Sequence, residues 1–249
     1  MKNNYYSKFN ILNVYSKKSI KSKLATQILY GEKFTILSKK GKWWKIKLHN
    51  DNYKGFILKK KFNQKFNPTH KIFSLKAKIY KYPNTSIVLE NKLSFNSRIE
   101  KLEEKNNFIK FEKNKWIKKN DVKKIEYEYK NILKRVKIFL KVKYKWGGKS
   151  FKGIDCSALL QLFFNFNNKF CFLDTIDQIS YFKKNQKKNN INKFDLIFWK
   201  GHIAIMISKK KLIHAYGPFK KVLIMNYDDT LKRILKTANL KVLAIKKIF

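Results

Sequence analysis

Short runs of alternating apolar and polar residues fill the chain from residue 9 to residue 62. They are Ile11–Tyr15, Ala25–Tyr30, Lys33–Leu37, Trp43–Leu48 and Tyr53–Leu58, with turns at Gly31-Glu32 and Lys40-Gly41-Lys42. Period-two alternation marks half-buried strands, and close spacing with glycine turns predicts a small barrel. Phe62–His70 holds Asn63, Asn67 and Pro68 and reads as a linker. Residues 71–124 repeat the strand pattern more sparsely, through Ile72–Leu75, Ala77–Tyr80, Leu93–Phe95, Phe108–Phe111 and Trp116-Ile117. A second small β unit is expected there. From Glu126 the period changes. Tyr129, Ile132, Leu133, Val136, Phe139 and Leu140 recur at helical spacing, which predicts an amphipathic helix over 126–142.

The next stretch, Tyr144-Lys145-Trp146-Gly147-Gly148 through Gly153-Ile154-Asp155-Cys156-Ser157, reads as loop, cap and helix. Asp155 suits an N-cap, and the apolar residues behind it predict a buried helix to about Phe166. Asn167-Asn168-Lys169 ends that helix. Asp174-Thr175-Ile176-Asp177-Gln178 opens a short one through Phe182, and Lys183–Lys193 is a polar loop. Three strands follow, Asp195–Trp199, His202–Ile207 and Leu212–Tyr216, and Val242–Ile245 is a last strand that closes the sheet.

Candidate chemistry follows from these placements. Cys156 falls in the first turn of a helix, where the positive dipole end favours thiolate. A buried structural cysteine is the alternative. A hairpin turn centred on Lys209 sets His214 opposite Ala204. His202 and Ala204 share a face, so both histidines lie on one face as diagonal neighbours roughly 7–8 Å apart or closer. Nucleophilic catalysis needs a nucleophile, a base within hydrogen-bond reach and a third group that orients the base. Two histidines and a cysteine also suit zinc, but the second short-spaced ligand pair of such sites is missing, so no metal or cofactor is expected. His49 and His70 lie in polar, turn-like surroundings and read as exposed and idle.

Composition changes the picture less than its size suggests. The 249-residue chain carries a net charge of +43, which alone points to nucleic acid or an anionic membrane surface. Only three of the 59 basic residues are arginine (Arg98, Arg135 and Arg233), and the lysines are spread along the chain. Arginine is the usual reader of bases and phosphates, so no specific nucleic-acid partner is expected. The abundant Lys, Asn, Ile, Phe and Tyr all have A/T-rich codons, and genome composition accounts for much of the charge. No apolar run is long enough to span a bilayer, and Met1–Lys8 is followed by no apolar signal segment, so no membrane association and a cytoplasmic location are expected. Two cysteines make no disulfide framework, which suits a reducing compartment.

At these residues the chain becomes recognisable. Gly31-Glu32, Gly41-Lys42-Trp43-Trp44-Lys45-Ile46 and Gly55-Phe56-Ile57 resemble the signature turns and strands of bacterial SH3-like domains. Tyr144-x-Trp146-Gly147-Gly148, Gly153-Ile154-Asp155-Cys156-Ser157, Asp174-Thr175-x-x-Gln178, Asp195–Phe198, His202-x-Ala204-Ile205 and Leu212–Ala215 resemble the NlpC-type papain-like cysteine peptidases of bacterial cell-wall peptides. Phe198–His202 and the N-terminal SH3-like segments look like the γ-D-glutamyl-L-diamino acid endopeptidase subgroup.

The resemblance implies an α+β fold. One or two all-β SH3-like barrels, residues 1–62 and 66–124, would precede a papain-like NlpC-type domain at 125–249. It implies Cys156 as nucleophile, His202 as base, His214 as its orienting partner and Tyr144 as an oxyanion donor. Asp155 and Asp174, with Ser157 and Thr175 beside them, would hold the free α-amine of an N-terminal L-Ala, and Tyr53 would close that pocket. The expected partner is a small murein peptide, with no obligate protein partner inferred. The subgroup's Pro-Arg before the Asp-Ser/Thr pair is replaced by Phe172-Leu173, so another cation must meet the substrate's carboxylate. The rival reading is an SH3-mediated scaffold with an idle peptidase-like domain.

Overall fold

The computed structural model describes residues 4–187 and 190–248. Met1–Asn3, Phe249, and Lys188 and Asn189 of the predicted Lys183–Lys193 loop lie outside them. The first unit holds β1 (Asn4–Tyr6), β2 (Ile11–Tyr15), β3 (Leu24–Leu29), β4 (Lys33–Lys40), β5 (Trp43–Leu48) and β6 (Lys54–Leu58). They form one sheet in the order β1-β4-β5-β6-β2-β3. The alternation in the sequence becomes a two-sided sheet: Leu12 and Val14 of β2 join Ile28, Phe34, Ile46 and Ile57 in its core. Ile11, Asn13 and Tyr15 face away, partly exposed.

The second unit holds β7 (His70–Ile72), β8 (Lys76–Tyr80), β9 (Val88–Ser94), β10 (Arg98–Ile99), β11 (Glu103–Lys105), β12 (Phe108–Glu112), β13 (Lys115–Lys118) and β14 (Val122–Lys124). It divides into sheets β10-β7-β14 and β11-β12-β13-β8-β9. His70, expected in an exposed turn, is a partly buried residue of β7 whose Nδ1 lies 3.0 Å from Thr69 Oγ1.

Residues 126–142 are not an α-helix. The apolar face is there, since Tyr129, Ile132, Leu133, Val136 and Phe139 are all buried. The backbone instead runs as successive tight turns, with bonds from Lys134 N to Asn131 O, Val136 N to Leu133 O, Ile138 N to Arg135 O and Val142 N to Phe139 O. Only Val136–Phe139 forms a 3-10 helix. Asn131 supplies a local cause: its side chain accepts from Leu133 N, a turn that competes with helix initiation. The β-branched Ile132, Val136 and Ile138 add low helix propensity.

The C-terminal unit places β15 (Lys149–Ser150) and β16 (Gly153–Ile154) ahead of α1 (Cys156–Phe166) and α2 (Thr175–Tyr181). Then come β17 (Leu196–Trp199), β18 (His202–Met206), β19 (Lys211–Tyr216), β20 (Lys221–Asn226), α3 (Tyr227–Ala238) and β21 (Ala244–Lys246). The antiparallel sheet runs β20-β19-β18-β17-β21, so the last strand adds to the β17 edge. No described helix is long and apolar enough to cross a membrane.

Every residue of α1 is buried. The sheet covers one side of it through Ile203, Ile205 and Ile213, while Leu29 of the first unit and Phe95 of the second enter the same apolar cluster. Phe95 stacks on Phe166 with ring centroids 4.7 Å apart. A helix buried on every face must be enclosed on every side, and here the N-terminal units contribute to the enclosure.

Polar links fix the three units together. Lys149 Nζ lies 3.0 Å from both carboxylate oxygens of Glu32, with both side chains buried. Gln27 Oε1 accepts from Lys149 N, and Asp51 Oδ2 accepts from Gln161 Nε2 on α1 at 3.0 Å. The buried Lys71 Nζ donates to the carbonyl of Phe166 at the C-terminal end of α1, where a cation suits the dipole. Burial nevertheless pulls the Lys71 ammonium down to about 8.

Candidate active site

The loop before α1 is shaped by a glycine. Gly147 has φ +65°, and a Cβ there would sit 2.4 Å from the carbonyl oxygen of Leu24 in the first unit. Only glycine fits both the left-handed conformation and that approach. The Asp155 carboxylate locks the loop to the helix. Its Oδ1 accepts from Ala158 N at 2.8 Å and Ser157 Oγ at 3.1 Å, and its Oδ2 accepts from Gly147 N at 2.9 Å. Asp155 is therefore an N-cap in fact, with one lone pair on Oδ2 still open. Burial pushes its carboxyl up to about 6 despite these three donors.

Cys156 opens α1 on the floor of a groove of about 510 Å³. The groove is lined by seven residues singled out in the sequence: Tyr53, Tyr144, Asp155, Cys156, Ser157, Asp174 and Thr175. Ser16, Lys23, Leu24 and Ala25 join Tyr53 from the first unit, so the SH3-like unit supplies one wall. Asp51 sets that wall: its Oδ1 accepts from Tyr53 N at 2.9 Å while its Oδ2 is held by Gln161 of α1. Leu173, Trp199, Lys200, Gly201 and Leu243 also line it.

The two acidic residues differ. Asp155 is buried and bonded, whereas Asp174 is exposed at the N-cap of α2 and makes no side-chain capping bond. Its carboxyl is raised by desolvation first and by Asp177 second. Asp174 is thus the carboxylate left open to a ligand.

The histidines meet as the hairpin register requires. Ile205 pairs with Ile213 and Met206 with Leu212, the register centred on Lys209. His202 Nε2 lies 2.9 Å from His214 Nδ1, closer than the diagonal spacing of backbones because the rings lean together. His214 is fully buried and stacks on Tyr216 at 4.6 Å and 12°. Neither histidine is among the residues that line the groove, although Gly201, the neighbour of His202 in the chain, is.

Two expectations about Cys156 are corrected. The first helical turn was expected to favour a Cys156 thiolate, yet burial, with the Asp155 charge second, pushes this thiol up to about 12. Backbone N–H groups of Ile203, Ser157 and Cys156 itself act the other way and are outweighed. The sulfur was also expected within hydrogen-bond reach of the base. It instead faces the Gly201 carbonyl oxygen at 3.9 Å, one residue before His202, and no Cys156–His202 hydrogen bond is present among the described residues. Burial pulls His202 down to about 4, and burial with the neighbouring His202 lowers His214 as well. The resting pair is thiol and neutral imidazole. The three N–H groups are placed to receive the thiolate once a proton leaves. Burial, with the Cys156 and Asp155 charges adding, raises the Tyr144 phenol and keeps it a donor. Among the described residues no group of three or more His, Cys, Asp or Glu is arranged to hold a metal.

The reading of residues 217–241 missed both β20 and α3, and with them Met225, whose Sδ lies 3.3 Å from His214 Nε2. The signals were in the chain. Val222–Met225 is an apolar run between lysines and Asn226, and Asn226 caps α3 through Asp228 N and Asp229 N.

Comparison with known proteins adds the family. The model of the NlpC/P60 family matches residues 141–236, which spans the capped cysteine, both histidines and the sheet between them. Residues 141–236 are an NlpC/P60 domain. The bacterial dipeptidyl-peptidase SH3 domain matches residues 14–62. The NlpC/P60 domain is of the hydrolytic peptidase type. Over 230 residues the chain is 28% identical to a γ-D-glutamyl-L-lysine dipeptidyl-peptidase of Bacillus cereus, covering 78% of this chain and 68% of that protein. It is 23% identical to the Bacillus subtilis protein of the same name, covering 84% of this chain and 77% of that one. Dipeptidyl-peptidase 6 of Lysinibacillus sphaericus is 28% identical over 99 residues, and the match spans 36% of its length. A crystal structure of a Bacillus cereus NlpC/P60 family protein superimposes with a TM-score of 0.79 over 98% of this chain and 99% of that one, at 21% identity. That likeness establishes the shared fold.

Proposed function

We propose that this NlpC/P60 domain hydrolyses murein peptides at the bond between γ-D-Glu and an L-diamino acid, reading the free N-terminal amine of L-Ala. The observation that carries this is the groove itself. Cys156 lines it with its sulfur on the Gly201 carbonyl, one residue before His202 of the bonded His202–His214 pair, and an SH3-like wall and the uncommitted Asp174 narrow it. The relatives named for γ-D-glutamyl-L-lysine supply the substrate class.

The steps follow from the residues. Cys156 Sγ turns from the Gly201 carbonyl to His202, which takes the thiol proton. The thiolate then attacks the γ-carbonyl carbon. The N–H of Cys156 and the Tyr144 hydroxyl meet the oxyanion. The C–N bond breaks, the leaving amine takes the proton from His202, and a thioester remains on Cys156. Water, deprotonated by His202, releases L-Ala-γ-D-Glu and the free thiol. Asp174 and the open lone pair of Asp155 hold the substrate ammonium. Buried Leu173 offers no charge, so Lys23 and Lys200, the two lysines of the lining, meet the D-Glu α-carboxylate. A stem peptide still joined to its sugar has that amine blocked. An enzyme that needs it free acts on released peptides, in turnover or recycling, which is the ground for a cytoplasmic location.

The test compares L-Ala-γ-D-Glu-L-Lys with its N-acetylated form, products read by mass. Cleavage of the free peptide at a rate about 10²-fold above the acetylated one is expected for loss of a charge-assisted pair. Equal rates would overturn both the amine reading and the location. No cleavage of either peptide, with Cys156 inert to alkylation, would favour a scaffold role.

A further inference from the structure

Three side chains form a row across neighbouring strands of the catalytic sheet. His202 is on β18, His214 on β19 and Met225 on β20. His214 pairs with Leu223, and Met225, two residues on, shares the face of Leu223. The row is joined by two contacts, His202 Nε2 to His214 Nδ1 at 2.9 Å and His214 Nε2 to Met225 Sδ at 3.3 Å. Resting on the peptidase reading above, we propose that Met225 is a positioning residue that sets the proton arrangement of the His–His pair and so leaves His202 able to act as the base.

The reasoning is one of donors and acceptors. A thioether has no proton and can only accept. A neutral imidazole has one donor and one acceptor nitrogen. At His214 the nitrogen facing Met225 must then be the donor, so Nε2 carries the hydrogen. Its Nδ1 is left with a lone pair. Facing that lone pair, His202 Nε2 must donate, so the His202 hydrogen is on Nε2. Its Nδ1, the nitrogen not used in the pair, is left unprotonated and can take the proton of Cys156. Were His214 to carry its hydrogen on Nδ1, His202 Nε2 would have to accept, its Nδ1 would be protonated, and no base would face the thiol. When the Cys156 proton arrives at His202 Nδ1, the other two hydrogens stay where they are: His202 Nε2–H on His214 and His214 Nε2–H on Met225. No proton moves beyond His202, and the same proton returns to the leaving amine.

Burial makes the device necessary. His214 is fully buried, so no bulk water competes to define its tautomer, and the neighbouring Tyr216 stacks on its face without bonding its edge. Met225 Sδ is the acceptor the fold supplies at that edge.

The experiment uses the full chain, whose four histidines (His49, His70, His202 and His214) give a simple ring-nitrogen spectrum. With ¹⁵N-histidine labelling at pH 7, the wild type is expected to show His202 and His214 both protonated at Nε2 and bare at Nδ1. Met225→Leu keeps the bulk and removes the acceptor. It should mix the His214 tautomers and lower kcat about 2–10-fold with KM unchanged, the range for one lost hydrogen bond. Met225→Gln restores an acceptor and should recover both the tautomer and the rate. A filler of space would be replaced equally well by leucine. Protonation of His214 at Nδ1 in the wild type would overturn the proposal, as would a Met225→Leu protein with wild-type tautomers and kcat. If the wild type hydrolyses no murein peptide, the peptidase reading fails, while the tautomers of wild type and Met225→Leu still decide the role of Met225 by themselves.

Discussion

Lys149→Met tests how the SH3-like unit is held against the catalytic one. In the native protein the Lys149 ammonium sits 3.0 Å from both Glu32 oxygens, and the two side chains are 1% and 3% exposed. Methionine keeps much of the lysine stem and removes the charge. Glu32 would retain the bonds from Leu29 N and Asn50 Nδ2 but would remain a buried carboxylate without its counter-charge. Removing one partner of a buried pair costs about 3–5 kcal/mol. For a protein of this size about 2–4 °C of Tm is lost per kcal/mol, so a fall of about 6–20 °C is expected. Replacing both charges, Glu32→Gln with Lys149→Met, leaves no ion to bury and should recover most of that loss. Urea unfolding of the two single variants and the double variant measures the coupling. The single variants should also raise KM, because the unit they loosen carries Tyr53 into the groove. Equal destabilisation in single and double variants, or a Lys149→Met protein within about 1 kcal/mol of wild type, would refute the reasoning.

Further outcomes are expected at the groove. His214→Ala should reduce kcat less than His202→Ala, because His214 only orients the base, and steady-state kinetics of both variants checks the order. Asp174→Asn should raise KM for the free-amine peptide and leave the N-acetylated one unchanged; an equal effect on both peptides would make Asp174 structural. With Asp155 held up to about 6, KM for the free peptide should rise as pH falls through 6, while kcat persists because His202 is pulled down to about 4. The same raised carboxyl contributes stability that is present below its ordinary value of 3.8 and is lost as pH rises through about 6, so urea midpoints of wild type should fall relative to Asp155→Asn over that interval.

The hairpin was legible in the sequence because period two and a central turn leave only one register, and the register alone brings His202 to His214. The capped start of α1 was legible because Asp155, Cys156 and the apolar run behind them are local. Residues 126–142 were misread for a definable reason: 3.6-residue spacing reports which side chains face the core, and a chain of tight turns around Asn131 presents the same side chains. The state of Cys156 was not legible, because its burial beside Gly201 and Ile203 comes from packing against a strand hairpin that lies some 45 residues on in sequence. The same holds for the links from Glu32 to Lys149 and from Asp51 to Gln161, which no local pattern encodes. Met225 was not legible because β20 was not, and its contact with His214 exists only through the pairing of β20 with β19.

The claim that Cys156 forms an acyl-enzyme in this groove is tested most directly by intact-protein mass measured during turnover of L-Ala-γ-D-Glu-L-Lys after rapid acid quench. The account predicts a species heavier by the L-Ala-γ-D-Glu acyl group, mapped to Cys156, with lysine released before the dipeptide. Cys156→Ala should show neither the adduct nor turnover. Lysine release by Cys156→Ala at the wild-type rate, or turnover with the adduct on another residue, would contradict it.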